Sequence, residues 1–292
     1  MKVLVTGSQG QVGQCLIKTL QCDGNIILFP FSRTELDITN NFELTRLINE
    51  IHPDVIINAA AYTQVDKAED DIESSYDINY IATKNLAIIS KKLDILFLHI
   101  STDYVFDGLK SGPYIESDIT NPINIYGKSK LAGEKAIQET CSHYAILRTS
   151  WVFGEYGNNF VKTMLRLGRE KKELNIIGDQ IGGPTYAGDI ANALVTIMNT
   201  MIENKNSSLS GVYHFSGYPF VSWYDFADFI FMIAKENDIL DGIPLLNKIP
   251  TTEYPLPAER PKNSQLNCEK IINTFNLTPS NWKVALKKIQ DY

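Results

Sequence analysis

At 292 residues, 44% hydrophobic and 21% charged, the chain is long enough for one large domain or two intimate ones around a sizeable core. A net charge of -7, from 27 basic and 34 acidic residues, argues against nucleic acid or an acidic membrane surface as partner, while leaving room for a local basic pocket. Four cysteines without C-x-x-C spacing and four dispersed histidines suggest reduced thiols in a cytoplasmic protein and no metal site, and the apolar runs are too short to span a bilayer.

Lys2–Thr6 is a short β-favouring run, followed by Gly7-Ser8-Gln9-Gly10-Gln11-Val12-Gly13. Val12, Leu16, Ile17 and Leu20 then share a helix face. Strand, glycine-rich turn and helix is the arrangement that sets free backbone N–H groups and a helix dipole against a pyrophosphate. Gly7, Gly10, Gln11, Val12 and Gly13 are therefore the first expected cofactor-binding residues. The spacing is G-x-x-G-x-x-G, and its place between an N-terminal strand and a helix is what gives it weight.

Asn25–Phe29 reads as the second strand. An acidic residue at such a strand end selects the ribose 2′-hydroxyl of NAD, and an arginine accommodates the 2′-phosphate of NADP. Here Ser32 and Arg33 stand there, which favours NADPH without excluding NADH. Asp37 and Ile38 follow on the same expected cofactor edge, before a helix near Phe42–Ile51. Val55–Asn58 is a buried strand whose end, Ala59-Ala60-Ala61-Tyr62-Thr63, is small enough to lie along the adenosine or ribose of a dinucleotide. A long helix around Ile78–Lys92 leads to Ile95–Ile100, a continuous apolar strand of the kind a parallel sheet buries on both faces. Ile100 is counted with the cofactor residues.

That strand ends in Ser101-Thr102-Asp103, where ligands of open α/β sheets bind. A helix begins near Tyr126, and the next strand is Ala145–Thr149. Tyr126 and Lys130 lie four residues apart, which stacks them on one helix face about 6 Å along the axis. Taken alone, Y-x-x-x-K fits an ordinary helix start. Behind a dinucleotide turn and a strand-end hydroxyl, it reads as a phenol with an ammonium beside it. That ammonium is expected to lower the phenol's pKa from its usual value of about 10.

This combination resembles the extended branch of the short-chain dehydrogenase/reductase superfamily, and within it the dTDP-4-dehydrorhamnose reductases. The resemblance runs along essentially the whole chain, through Gly10–Gly13, Asn58–Thr63, Asp66–Glu69, Ser101–Phe106, Tyr126–Glu134, Arg148–Val152, Asn158–Phe160 and Arg260–Ser264. It implies an α/β fold, a doubly wound parallel Rossmann sheet with a smaller α/β substrate-binding lobe. It further implies NADPH-dependent reduction of a nucleotide sugar's 4-keto group, the last step of dTDP-L-rhamnose synthesis. Tyr126 would then be the general acid, Lys130 its partner and a ligand of the nicotinamide ribose, and Thr102 the carbonyl holder. Spacing by itself does not choose between Ser101 and Thr102. The expected substrate contacts are Thr102, Asp103, Tyr126, Trp151, Asn159 and Arg260, with Arg260 suited to a pyrophosphate by its bidentate fork.

Residues 1–150 are expected to hold the cofactor, with 174–204 returning to that domain as a strand (Leu174–Ile177) and a helix (Ala187–Thr200). Residues 151–292 would form mainly the substrate lobe. A dehydratase of this branch carries an acidic pair after the strand-end threonine, and Tyr104 stands at the second position here. The fold would also suit a nucleotide-sugar 4-epimerase or a non-catalytic NADP-binding regulatory subunit. Some relatives bind Mg²⁺ through an acidic residue early in the first helix; Cys15 at that position argues against the metal. The chain is expected to be a monomer or homodimer.

Overall fold

The computed structural model describes residues 1–204 and 207–292. Strand and helix alternate through its first half. β1 (Lys2–Thr6) runs into α1 (Gln11–Leu20), and β2 (Ile27–Phe31) into α2 (Asn41–Ile51). β3 (Val55–Asn58) is followed by α3 (Val65–Ala68), α4 (Ile72–Tyr76), a π-helical stretch at Asp77–Ala82 and α5 (Thr83–Leu93). β4 (Leu96–Thr102) ends in a 3-10 turn at Asp103–Val105; an irregular crossing leads to α6 (Ile125–Thr140) and β5 (Tyr144–Thr149). Beyond it come β6 (Val152–Phe153), α7 (Phe160–Glu170), β7 (Glu173–Ile177), β8 (Ile181–Gly182), β9 (Thr185–Tyr186), α8 (Ala187–Asn204) and β10 (Gly211–His214).

Six strands form one parallel sheet in the order β10-β5-β4-β3-β1-β2. The chain moves outward from β1 to β2 and then returns to β3 on the other side of β1. The crevice at that reversal is where doubly wound sheets bind ligands. Successive strand residues face opposite layers. Val3, Val5 and Leu98 pack with Leu16 of α1 and Ile190 and Leu194 of α8, while Leu4, Ile56 and Phe97 pack with Leu44, Leu86 and Ile137 of α2, α5 and α6. Pro30 sits within β2, which the sheet order makes an edge strand, where a missing N–H is tolerated.

The lobe adds β11 (Val221–Ser222), α9 (Trp223–Glu236), β12 (Leu245–Ile249), β13 (Asn263–Ser264), α10 (Glu269–Phe275) and α11 (Trp282–Ala285). Phe153, Met164, Phe226, Phe231 and Trp282 make its separate core. The stretch 174–204 divides. Its helix, α8, covers the main sheet, but its strand, β7, pairs with β12 in a two-stranded sheet. The place beside β5 is taken by β10, the sixth strand of the sheet, whose four residues make too short a run to be read as a strand from the sequence. Ile271 and Phe275 of α10 also pack on the main sheet. No helix among the described residues is long and apolar enough to cross a membrane.

One polar cluster is sealed inside this frame. Arg148 of β5 donates from Nε and Nη2 to Glu134 of α6, at 3.0 and 2.7 Å, with both side chains almost fully buried. Its remaining nitrogen faces His214 Nε2 at 3.4 Å, and the guanidinium lies 5.1 Å from the centre of the Phe106 ring. Burial, then the Arg148 charge, holds His214 down at about 3, so the ring is neutral in the fold. Below about pH 6.5 the unfolded chain binds a proton there that the folded chain refuses, so stability falls as pH drops. Each unit in that window costs about 1.4 kcal/mol for this residue. Urea unfolding at about pH 7 and about pH 5 should therefore show a shallower acid loss in His214→Gln than in wild type. Equal slopes would mean that His214 is not held neutral.

Candidate active site

The turn after β1 is built so that only glycine fits twice. Gly7 has φ +70°, and a Cβ there would lie 2.6 Å from the Ala60 nitrogen; at Gly13 it would lie 2.1 Å from the Gly7 carbonyl oxygen. The turn folds tightly onto the end of β3, and α1 starts close against it. α1 begins without a side-chain cap and without an acidic residue in its first turn. By contrast, α2, α6, α7 and α9 are capped by Asn40, Asn124, Asn159 and Ser222. The uncapped N–H groups and positive dipole end of α1 suit an anion. They open into a cavity of about 860 Å³.

Across the crevice, α6 is held by its cap. Asn124 Oδ1 accepts the Gly127 N–H at 2.8 Å, and Asn124 Nδ2 donates to the Glu259 carbonyl oxygen at 2.7 Å. Gly127 lets the helix approach β4, since a Cβ would stand 2.2 Å from the Tyr104 carbonyl oxygen. Tyr126 and Lys130 thus face the carboxyl end of β4. Lys130 is 2% exposed; its Nζ donates to the Ile100 carbonyl oxygen at 2.7 Å and faces His99 Nε2 at 3.2 Å. Thr102 Oγ1 donates to Asp103 at 3.1 Å and accepts the Tyr104 N–H at 3.2 Å. Tyr104 and Tyr126 meet edge to face, with ring centres 5.7 Å apart.

The protonation states differ from the expectation in one respect. Burial pushes the Tyr126 phenol up to about 12, although the Thr102 hydroxyl works the other way. Lys130 does not bring it down, because its nitrogen is turned to Ile100 and His99. Burial lowers Lys130 itself to about 8, against the opposing charge of Glu134. Asp103 is raised to about 7 by burial, against hydrogen bonds from Ser264 and Thr102.

The cavity collects most of the residues expected from the sequence. Gly7, Gly10, Gln11, Val12, Arg33, Asp37, Ile38, Ala59, Ala60, Ala61, Thr63, Ile100, Thr102, Asp103, Tyr126, Lys130 and Trp151 line it. Ser101 lines it too, and among the described residues the buried hydroxyls of Ser101 and Thr149 have no hydrogen-bond partner. Five expected residues fall off the wall. Gly13 serves the turn packing. Ser32 is buried, its hydroxyl donating to Glu35 at 2.6 Å. Tyr62 is buried, its N–H bonded to Asn79 and its hydroxyl donating to Asp71 at 3.1 Å. Asn159 caps α7 and donates to Gln11 Oε1 at 3.0 Å, so it touches the site only through Gln11. Arg260 directs its fork at Asp66, at 2.8 and 2.6 Å, so the bidentate partner it has here is a protein carboxylate and not a pyrophosphate.

Trp223, Tyr104, Gln64 and Asn158 stand on the wall beyond the residues expected from the sequence. Ser222 caps α9 in a capping box with Asp225, and this places Trp223 at the helix start. Its indole stacks on Trp151, with ring centres 3.5 Å apart and planes 8° from parallel. Trp151 itself has φ +47°, a costly conformation for a bulky residue. Cys15 is a buried thiol that burial, with Glu155, pushes up to about 12; a protonated sulfur does not fit Mg²⁺, which requires oxygen ligands.

Comparison with known proteins bears on the same residues. The whole chain, residues 1–292, matches the family described as RmlD substrate binding domain. It is 48% identical to the dTDP-4-dehydrorhamnose reductase of Aggregatibacter actinomycetemcomitans, over 100% of this chain and 99% of that one. Against the enzyme of the same name from Escherichia coli the identity is 41%, over 99% and 97% of the two chains. The crystal structure of dTDP-4-dehydrorhamnose reductase from Bacillus anthracis in complex with NADP superposes with a TM-score of 0.88 at 39% identity, covering 98% of this chain and 97% of that one. With identity of this level over its full length, the chain belongs to the dTDP-4-dehydrorhamnose reductase family of oxidoreductases.

Proposed function

We propose that this protein reduces the 4-keto group of dTDP-4-dehydro-β-L-rhamnose to give dTDP-β-L-rhamnose, using NADPH. The observation that carries this reading is the placement of Tyr126, Lys130 and Thr102 on one wall of the cavity that the uncapped end of α1 opens into. Gly10, Gln11 and Val12 would hold the cofactor's pyrophosphate, Arg33 its 2′-phosphate and Ala59–Ala61 its adenosine side. Once bound, the cofactor supplies a hydride to the carbonyl carbon.

The protein's own task is the oxygen. As the carbonyl carbon gains a hydride, its oxygen becomes an alkoxide, and the Tyr126 hydroxyl gives it a proton. A phenol raised to about 12 keeps that proton until the stronger base develops. Thr102 holds the oxygen in line, and the buried wall strengthens each of these contacts by excluding water. Lys130 orients the cofactor ribose. Trp151 and Trp223 offer apolar faces to the sugar. Tyr104 occupies the position where dehydration would need a second carboxylate, and burial pushes its phenol further up, so it does not substitute for one. Residues 1–150 would carry the cofactor, and residues 151–292 most of the sugar-nucleotide contacts.

Mixing the protein with NADPH and the 4-keto sugar nucleotide generated in situ should consume NADPH absorbance; a folded protein that consumes none would refute the reductase reading. Tyr126→Phe should lower turnover by about 10²- to 10⁴-fold while leaving NADPH binding measurable, the usual worth of a positioned acid. Retained turnover would remove Tyr126 from that role. Arg33→Ala should weaken NADPH by about 10- to 100-fold and NADH little, the loss of one charge-assisted contact. Equal losses for both cofactors would place the 2′-phosphate elsewhere.

A further inference from the structure

His99 lies on β4 with no exposed surface, between Asn58 of β3 and Lys130 of α6. The group that faces its Nδ1 has a hydrogen-bond polarity fixed by its own neighbours. The Ala60 backbone N–H, which can only donate, lies 3.2 Å from the Asn58 side-chain oxygen. The Thr6 hydroxyl donates to the same oxygen at 2.7 Å. The other end of that amide, its NH₂, therefore faces His99 Nδ1 at 3.1 Å, and it too can only donate. Nδ1 must present a lone pair. A ring with Nδ1 unprotonated is neutral and carries its single proton on Nε2.

That Nε2–H points at the Lys130 nitrogen, 3.2 Å away. An ammonium has donors alone, so a charged Lys130 would set N–H against N–H. A neutral amine has one lone pair to accept the histidine proton and keeps hydrogens for the Ile100 carbonyl oxygen at 2.7 Å. We propose that His99 is a positioning residue, donating its Nε2–H to Lys130 and so holding Lys130 as a neutral amine in the ligand-free enzyme.

The other titratable groups facing Lys130 come from its own helix. Tyr126 is one turn before it, and Glu134 one turn after. Glu134 is bound through both oxygens by Arg148 of β5, which answers its charge away from the lysine. Burial works in the same direction as the hydrogen-bond polarity: it brings Lys130 to about 8 and holds His99 well below the usual histidine range, and the proton that His99 donates to the amine lone pair lowers Lys130 further. The consequence for chemistry is that no cation stands beside Tyr126 before ligands bind, so the phenol retains its proton. Charging Lys130 requires the ring proton to move to Nδ1 and the Asn58 amide to turn over, which breaks the bond from Ala60. Ala60 lies on the cavity wall, so the charge of Lys130 is linked to the Ala59–Ala61 loop.

The test is ¹⁵N NMR of the ligand-free protein, whose four histidines make assignment by His99→Gln direct. The expected spectrum has His99 as the Nε2–H tautomer from about pH 6 to about pH 9, and a Lys130 ε-nitrogen in the neutral-amine range near about pH 7.5. An Nδ1–H tautomer, or an ammonium signal for Lys130, would overturn the proposal. His99→Gln offers Lys130 a carbonyl oxygen, so the lysine's apparent pKa should rise by about one unit, the worth of one hydrogen bond. An unchanged or lower value would count against His99. A folding defect in that variant leaves the wild-type tautomer and amine signals decisive. The kinetic consequence rests on the reductase reading, whereas the spectra do not; absent turnover would refute that reading alone.

Discussion

A lysine nitrogen buried against the backbone of a central strand is the constraint on which the rest of this site depends. A polar group with almost no access to water needs partners, and Lys130 finds them at the Ile100 carbonyl and the His99 ring. Those contacts pin α6 across the end of β4. Two other features agree with them: the Asn124 cap, which also reaches the lobe at Glu259, and the absence of a side chain at Gly127. With the helix held there, Tyr126 stands one turn earlier at the cavity edge. The strand end supplies Thr102 beside it.

The polar groups behind that wall are arranged in two supporting sets. One runs from Ala60 through Asn58 and His99 to Lys130, tying the β3 loop to the helix. The other joins Glu134, Arg148 and His214, tying the helix to β5 and the outer strand β10. A buried ion pair of this kind adds little net stability compared with an apolar pair, but losing one partner is costly. Its effect here is positional. It fixes the face of α6 that carries Tyr126 and Lys130 relative to the sheet.

Much of this was legible in the chain, for identifiable reasons. The glycine turn and the apolar strands are local signals, so β1, α1, β3 and β4 fall where periodicity and glycine spacing put them. Y-x-x-x-K carries its own geometry because four residues make about one helical turn. Other features depend on partners distant in sequence. Whether β7 joins the main sheet is decided by β10, which occupies the neighbouring edge. Ser32 looked free to meet a ribose until Glu35 folded back onto it, and Arg260 found Asp66, 194 residues away. Asn159 and its neighbour Asn158 are the same residue type in sequence, but Asn159 is drawn off the wall to cap α7 while Asn158 lines the cavity. The rise of the Tyr126 phenol was also hidden, because spacing reports a nearby lysine and not where its nitrogen points. Trp223 carried a local signal as the residue after a helix cap, but its stacking on Trp151 did not.

The central claim is that this cavity delivers a hydride to the sugar carbonyl carbon while Tyr126 protonates its oxygen. Turnover with NADPH deuterated at the transferring position of the nicotinamide C4 tests it most directly, read by NMR of the isolated sugar nucleotide. The account predicts deuterium on carbon 4 of the sugar, and the same labelled product formed about 10²- to 10⁴-fold more slowly when Tyr126 is replaced by Phe. Product with solvent hydrogen at that carbon, or label at a different ring position, would contradict it.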